Sequence, residues 1–166
     1  METQNKLDLK PYEKFLKIYT FLDKPILLGG TAMQYYNLRQ TGHDLDMMIS
    51  KRDKNNLIKK GYQLNLFGGK KETDVDSTFT NIENLDLDLV ITLNQYDYEY
   101  FKREAKPVKG HNNLLVMSLE DLLITKVFAQ KYDTRPKHKK DVQLIIQGIE
   151  IQQGYDPVKE KGYVPM

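Results

Sequence analysis

One stretch of the chain constrains its fold more than any other: residues 27–49, which read LLGGTAMQYYNLRQTGHDLDMMI. An apolar run stops at two glycines, which predicts that PILLGG (25–30) is a short buried strand ending in a tight turn. A helix is predicted over TAMQYYNLRQ (31–40) and a second strand over LDMMIS (45–50). This alternation favours an α/β (α+β) domain whose mixed sheet is flanked by helices.

Two aspartates, Asp44 and Asp46, stand on either side of Leu45 where the second strand begins. Side chains at positions i and i+2 of a strand share a face, so both carboxylates are expected to point the same way. They repel each other unless a cation lies between them, and hard divalent cations prefer such oxygen ligands. A D-x-D pattern also occurs by chance where a strand begins with two solvated acids, and that alternative stays open.

A second copy of the pattern, LDLDLVI (85–91), places Asp86 and Asp88 on one face of another predicted strand. A half-exposed strand explains this alternation equally well. A third carboxylate from an adjacent strand would nevertheless complete the acidic group that two-metal phosphoryl transfer uses. From the residues alone, either Asp86 or Asp88 can supply it.

The glycine turn is a candidate phosphate-binding site. Gly29 and Gly30 would let backbone N–H groups approach an anion closely, and Thr31 would add a hydroxyl at the start of a helix. The G-K-[ST] sequence of a Walker A loop and the G-x-G-x-x-G spacing are both absent. A plain tight turn that needs a positive φ is the alternative explanation.

The bulk composition excludes several classes of protein. The chain has 166 residues, of which 40% are hydrophobic and 29% charged, and it has no cysteine, so a disulfide framework and a thiolate zinc site are excluded. No apolar stretch approaches the roughly 20 residues of a membrane helix. The N-terminus METQNKLDLKPYEK lacks the apolar core of a secretion signal, so we expect a cytoplasmic protein without membrane partners. The net charge of +2 neither requires nor excludes nucleic acid as a partner.

The other patterns predict the rest of one domain, residues 1–150, with an N-terminal helical part (1–24) and a C-terminal helix pair (118–150). The tail, 151–166, is rich in glycine, proline and charge and is expected to be loosely ordered. The first helix is predicted within 11–24, with Phe15, Ile18, Tyr19 and Leu22 on its apolar face. The other predicted helices are one that begins near Arg52 and ends near Gly61, a short one within 95–105, one that Ser118 and Asp121 cap, and a last one after Pro136. The other predicted segments are a strand over 62–67, a turn at Gly68-Gly69, a hairpin from 76–82 and 85–92, and a strand or extended segment over 111–118.

Taken together, a strand ending in G-G-T, a helix, R-x-T followed by D-x-D, and a later strand acid resemble the nucleotidyltransferase superfamily with its DNA polymerase β-like fold. The closest resemblance is to minimal bacterial members, the AbiEii-type toxins and the lincosamide-type antibiotic nucleotidyltransferases. LDLVITLN resembles the third-acid strand of the latter group, which favours Asp88 over Asp86. The resemblance covers roughly residues 25–146 and implies Asp44, Asp46 and Asp88 as catalytic acids and as ligands of Mg²⁺ or Mn²⁺.

The resemblance extends to SLEDLLITKVFAQKYDTRPKHKKD (118–141), which is similar to the AbiEii-type helix pair. It implies nucleotide or phosphate contacts for a set of residues in both halves of the chain: Gly29, Gly30, Thr31, Arg39, Lys126, Lys140 and Asp141. The chain departs from the family's usual spacing, since Gly42 and His43 stand between Thr41 and the first aspartate where a single residue is usual.

Several individual residues have two interpretations. His43 is a candidate ligand or a solvent-facing loop residue, and Lys126 is a substrate contact or a lysine that packs along an apolar stripe. The lysines of 137–140 are a basic surface for triphosphate or RNA, or a solvated helix face. The tyrosines of QYDYEYF (95–101) are a base-stacking surface, or Tyr96, Tyr100 and Phe101 form the buried side of a helix, and burial is favoured. Lys70 and Lys71 either reach substrate or face water.

These features predict a metal-dependent nucleotidyltransferase that transfers a nucleoside monophosphate from an NTP to a hydroxyl and releases pyrophosphate. The acceptor is left open among an RNA or tRNA end, a protein hydroxyl and a small molecule, and the resemblance to toxins implies a possible antitoxin partner. Two alternatives remain: a non-catalytic nucleotide- or RNA-binding member of the same fold, and a glycosyltransferase that uses D-x-D on a nucleotide-sugar.

Overall fold

A computed structural model of the chain describes residues 7–40, 42, 44–66, 77–93, 95–132 and 135–154, with the backbone alone for 131 and 132. Helices and strands are interspersed along it. In chain order they are α1 (Lys10–Leu16), β1 (Ile26–Leu27), α2 (Gly29–Tyr35), β2 (Leu45–Met48), α3 (Lys51–Lys59), β3 (Asn65–Leu66), β4 (Ser77–Phe79), β5 (Leu87–Leu93), β6 (Tyr96–Asp97), α4 (Tyr98–Lys102), β7 (Lys106–Val108), β8 (His111–Val116), α5 (Leu119–Tyr132) and α6 (Pro136–Gln152), with a 3₁₀ turn at Ile82–Asn84.

The described strands form one mixed sheet in the order β3-β4-β5-β2-β1-β8-β7, with β6 added to the end of β5. The central pair β2 and β5 is parallel, β1 is antiparallel to β2, and β1 is parallel to β8. The predicted mixed sheet flanked by helices is therefore confirmed. The predicted hairpin is also present, since β4 and β5 are antiparallel neighbours.

Part of the core lies against one face of the two central strands. Leu45, Met47, Leu87 and Leu89 alternate with polar residues along β2 and β5 and are almost completely buried. Because strand side chains alternate between faces, the aspartates between these residues lie on the opposite face of the sheet. Burial of the apolar face thus determines which way the acids point.

The first helix is shorter than predicted. It ends at Leu16, and Ile18 and Leu22, which were expected on its apolar face, are 51% and 49% exposed. The chain leaves the helix because the buried carboxylate of Asp53 on α3 accepts hydrogen bonds from the Tyr19 hydroxyl and the Leu22 N–H. Phe15 and Tyr19 are buried, as predicted.

The second helix also differs from its predicted range, since it begins at Gly29 and ends at Tyr35. It stops because Asn37 adopts a left-handed conformation, with φ of 60°. The Leu38 N–H then donates to the Met33 carbonyl and the Asn37 N–H to the Gln34 carbonyl, which is the Schellman arrangement of a helix end.

The C-terminal helix pair begins as predicted, with the Asp121 N–H donating to Ser118 Oγ at 3.1 Å. Helix α6 continues to Gln152, so the first two residues of the predicted tail are helical. Gly148 allows α6 to approach the segment after α2, because a Cβ at this position would lie 3.0 Å from Leu38 Cδ2.

Other parts of the chain differ from the predictions or fall outside the described residues. Strand β7 was not predicted; it carries Pro107 and lies at an end of the described sheet, where a proline is tolerated. In the segment 95–101 the buried rings are Tyr98 and Phe101, whereas Tyr96 is 39% exposed and stacks on Tyr100. The turn at Gly68-Gly69, Lys70, Lys71 and the tail beyond residue 154 lie outside the described residues.

Within the part of the chain that the structure describes, no helix has the length and apolar character needed to cross a bilayer.

Candidate functional site

The acids predicted from the two D-x-D patterns lie on adjacent strands. Asp46 and Asp88 are register partners on the parallel strands β2 and β5. Just before this pair, the Leu45 N–H donates to the Asp86 carbonyl at 2.9 Å. This hydrogen bond brings Asp44 and Asp86 alongside each other, two residues before Asp46 and Asp88. Asp44 and Asp86 are exposed, whereas Asp46 and Asp88 are partly buried. The strand register thus makes Asp88 the neighbour of Asp46 and Asp86 the neighbour of Asp44.

This crowding changes the acidity of the group. Burial, together with the charges of Asp88 and Asp44, raises the pKa of Asp46 to about 7, and the cations Lys126 and Lys137 oppose this rise. Burial also raises the pKa of Asp88; the Asn81 N–H, which donates to its carboxylate at 2.7 Å, opposes the rise, and the charges of Asp44 and Asp86 add to it. For Asp46, the two lysines therefore do not offset burial and the charges of the neighbouring carboxylates.

The glycine turn lies against this carboxylate group. Gly29 has φ of +57°, and a Cβ built on it would lie 3.3 Å from Asp46 Oδ2. Gly29 therefore satisfies two requirements, a left-handed backbone and a close approach to a charged oxygen. Gly30 follows it in the first turn of α2.

Thr31 connects the same turn to the acid strand. Its Oγ1 accepts a hydrogen bond from the Asp46 N–H at 3.0 Å, and the residue is completely buried. Thr31, which the resemblance implies as a phosphate contact, holds the backbone of the strand that carries Asp46.

Three further residues named by the resemblance meet in one ionic cluster. Arg39 donates two hydrogen bonds to Asp141, Nε to Oδ1 at 2.7 Å and Nη2 to Oδ2 at 3.0 Å. The Lys126 ammonium lies 2.9 Å from Asp141 Oδ2. Burial raises the pKa of Asp141, but the hydrogen bonds and charges of Arg39 and Lys126 hold it below its usual value. The cluster joins the segment after α2 to α5 and α6, and it places the charge of Lys126 close to Asp46.

The side chain of Lys140 is exposed on α6. Thr41 and His43 lie outside the described residues. The sequence did not single out Lys137 among the lysines of 137–140, yet this is the one whose charge acts on Asp46. A signal for it was present, because Lys137 stands four residues before Asp141 and so shares its helix face.

A cavity of about 440 Å³ adjoins the exposed acids. Its walls come from the beginning of α1, the segment after α2 and the beginnings of β2 and β5. They include Lys10, Lys14, Gly42, Asp44 and Asp86. The space is polar, so it suits a hydrogen-bonding ligand better than an apolar one.

The donor chemistry of the acidic group fits a hard divalent cation. Asp44, Asp46 and Asp88 offer carboxylate oxygens, the preferred ligands of Mg²⁺ and Mn²⁺. Asp46 and Asp88 lie side by side on β2 and β5, and Asp44 comes directly before β2. Among the described residues, no group of three or more His, Cys, Asp or Glu side chains has the arrangement of a metal site. The case for a cation thus rests on the donor types and on the crowding of like charges around Asp46.

No family model matches this chain, and no curated protein matches it significantly.

Proposed function

We propose that this protein is a metal-dependent nucleotidyltransferase with the nucleotidyltransferase fold, which transfers a nucleoside monophosphate from an NTP to a hydroxyl acceptor. The observation that carries the proposal is the register of Asp46 against Asp88, beside a glycine turn whose missing Cβ leaves room at the Asp46 carboxylate. Adjacent carboxylates and an open backbone turn are what a metal-bound triphosphate requires from a protein.

In this proposal Asp44, Asp46 and Asp88 hold Mg²⁺ or Mn²⁺, which when bound would neutralise charge on the triphosphate. The acceptor oxygen attacks the α-phosphorus in line, the bond to the leaving pyrophosphate breaks, and the hydroxyl proton passes to a carboxylate of the group. The rest of the chain's contribution is to position the reacting atoms and to supply fixed charges around them.

The remaining predicted contacts receive specific roles. Gly29 and Gly30 offer backbone N–H groups to the phosphates, and Lys126 supplies positive charge close to Asp46. Arg39 and Asp141 hold Lys126 in place through the ionic cluster. The polar cavity at Asp44 and Asp86 is available to the acceptor, whether that is an RNA end, a protein hydroxyl or a small molecule.

Calorimetry with each NTP, with and without Mg²⁺, tests the proposal on the wild type, Asp46→Asn and the control Glu99→Gln. Glu99 is an exposed acid on α4 outside the acidic group. We expect Mg²⁺-dependent binding of at least one NTP to the wild type and the control, and its loss in Asp46→Asn. Incubation with α-labelled NTPs and total RNA or lysate then identifies the acceptor.

Two results would contradict the proposal in different ways. NTP binding that is equal without metal and in Asp46→Asn, with no label transfer, would instead identify a non-catalytic nucleotide-binding protein. Label transfer from a nucleotide-sugar, but from no NTP, would indicate a glycosyltransferase.

A further inference from the structure

The loop between β4 and β5 has an unusual backbone. Three residues of the segment 81–84 have a positive φ: Asn81 at 50°, Glu83 at 54° and Asn84 at 60°. For residues other than glycine this left-handed region is unfavourable, because the Cβ comes too close to a carbonyl oxygen. Such strain persists only where the surrounding structure fixes it, and it is concentrated at functional sites.

Contacts inside and outside the loop hold it in this conformation. Ile82 is 4% exposed and anchors the loop in the core. The Asn84 N–H donates to the Asn81 carbonyl at 3.1 Å, and the Tyr62 hydroxyl donates to the Glu83 carboxylate. Asn81 itself is exposed, so packing of its own side chain does not account for its left-handed backbone.

One hydrogen bond connects this loop to the acidic group. The Asn81 N–H donates to Asp88 Oδ1 at 2.7 Å, a short distance that is typical of a charged acceptor. Because φ is the rotation about the Asn81 N–Cα bond, it sets the direction of this N–H relative to the anchored Ile82. Asparagine is one of the few side chains that tolerate a positive φ, whereas a β-branched side chain resists it. The backbone of Asn81 thus holds the Asp88 carboxylate beside its register partner Asp46.

We propose that Asn81 is a positioning residue whose left-handed backbone orients the Asp88 carboxylate for the divalent cation. This inference rests on the proposed function and extends the site to a residue that acts through Asp88. The hydrogen bond occupies one acceptor position on Oδ1, and a carboxylate has about four such positions, so Asp88 keeps acceptor capacity for a metal ion. A group that orients a ligating side chain typically contributes about ten- to hundredfold in metal affinity.

The test measures Mn²⁺ affinity by calorimetry without nucleotide, and the free energy of unfolding by urea in EDTA. The variants are Asn81→Gly, which accepts a positive φ, and Asn81→Val, which resists it. Gln95→Val is the control for strain, because Gln95 has φ of 70° between β5 and β6, at the other end of the strand that carries Asp88. All three substitutions exchange neutral side chains, so the charge around the acids stays the same.

We expect both valine variants to lose stability, but only Asn81→Val to bind Mn²⁺ about tenfold or more weakly than the wild type. Asn81→Gly should retain the affinity within about twofold, because glycine keeps both the positive φ and the N–H. If Asn81→Val does not fold, Asn81→Ala takes its place, since an alanine Cβ imposes less strain than a β-branched side chain.

Two results would overturn the inference. If Asn81→Val loses stability as Gln95→Val does but binds Mn²⁺ like the wild type, the loop has only a structural role. If Asn81→Gly loses as much affinity as Asn81→Val, the asparagine side chain matters and the left-handed backbone does not.

These results are distinguishable from failure of the proposed function. If Asp46→Asn loses Mg²⁺-dependent NTP binding while all Asn81 variants bind Mn²⁺ like the wild type, the nucleotidyltransferase proposal stands and the role of Asn81 is contradicted. If only Asn81→Val binds Mn²⁺ more weakly and no NTP binds to the wild type, the role of Asn81 in a metal site is confirmed and the nucleotidyltransferase proposal is contradicted.

Discussion

Two aspartates of this protein, Asp53 and Asp46, are held in opposite ways. Asp53 on α3 is completely buried, and its carboxylate accepts hydrogen bonds from the Tyr19 and Ser50 hydroxyls and from the N–H groups of Leu22 and Asp23. Asp46 on β2 is only partly buried, yet no described residue donates a hydrogen bond to its carboxylate. Its nearest charged neighbours include two other carboxylates.

The contrast separates a structural acid from a functional one. A buried carboxylate surrounded by donors is compensated within the fold and joins distant segments of the chain. A carboxylate next to like charges destabilises the fold that holds it, and such sites are typical of ligand binding and catalysis. The same residue type thus stabilises the protein at position 53 and costs stability at position 46.

The largest expected effect is on activity. Asp46→Asn should reduce label transfer from an α-labelled NTP by about 10³-fold, a loss typical of removing a group that stabilises transition-state charge. Its free energy of unfolding without metal should equal or exceed that of the wild type, because one member of a repelling group is removed. Urea unfolding in EDTA measures this free energy. A clear loss of stability in Asp46→Asn would contradict the conclusion that Asp46, unlike Asp53, costs the fold stability.

The same substitution at position 53 should give the reverse result. Asp53→Asn replaces an acceptor of four hydrogen bonds by a neutral amide whose NH₂ faces donors, so we expect the free energy of unfolding to fall by about 3 kcal/mol. The folded fraction should bind Mg²⁺ and NTP with wild-type affinity. Urea unfolding and calorimetry at low temperature test both points. If Asp53→Asn is as stable as the wild type but does not bind Mg²⁺ and NTP, then Asp53 has a role in ligand binding and not a structural one.

The third prediction concerns pH. The pKa of Asp46 is about 7 in the folded protein, against 3.8 as its ordinary value, so the folded state binds more protons than the unfolded state in this window. Stability should therefore fall as pH rises from about 5 to about 7.5, by about 1–3 kcal/mol in EDTA. Urea unfolding at both pH values measures the decrease. This decrease in stability should be smaller in Asp46→Asn and when Mg²⁺ is added to the wild type. If the variant loses as much stability over this pH range as the wild type, another titrating group causes the decrease.

The smallest expected effect is at the glycine turn. Gly29→Ala forces an alanine to φ of +57° and places its Cβ 3.3 Å from Asp46 Oδ2. We expect a loss of about 1 kcal/mol in stability from the backbone strain. The free energy of NTP binding should fall by more than the stability does, because the alanine methyl group fills the space beside the Asp46 carboxylate. The control is Gly61→Ala, which has a positive φ but open space around it.

Much of the fold was predictable because it depends on local patterns. The alternation of LDMMIS and LDLDLVI gave two strands with acids on one face, and the Ser118 cap gave the beginning of α5. The first helix was predicted too long because its apolar spacing continues to Leu22, whereas the chain is turned by hydrogen bonds to Asp53, 31 residues further along. A contact between residues so far apart in the sequence cannot be read from the spacing of apolar residues around Leu22.

The sequence by itself determined that Asp46 lies opposite the apolar residues of its strand, since strand geometry has a period of two residues, and that a glycine turn stands before it. The tertiary structure decided which acids become neighbours, because the pairing of β2 with β5 puts Asp88 beside Asp46 and Asp86 beside Asp44. It also decided that Lys137, rather than Lys140, acts on that group, since this depends on how α6 packs against α5. Register and helix packing are long-range properties, and the spacing of residues along one strand or helix does not contain them.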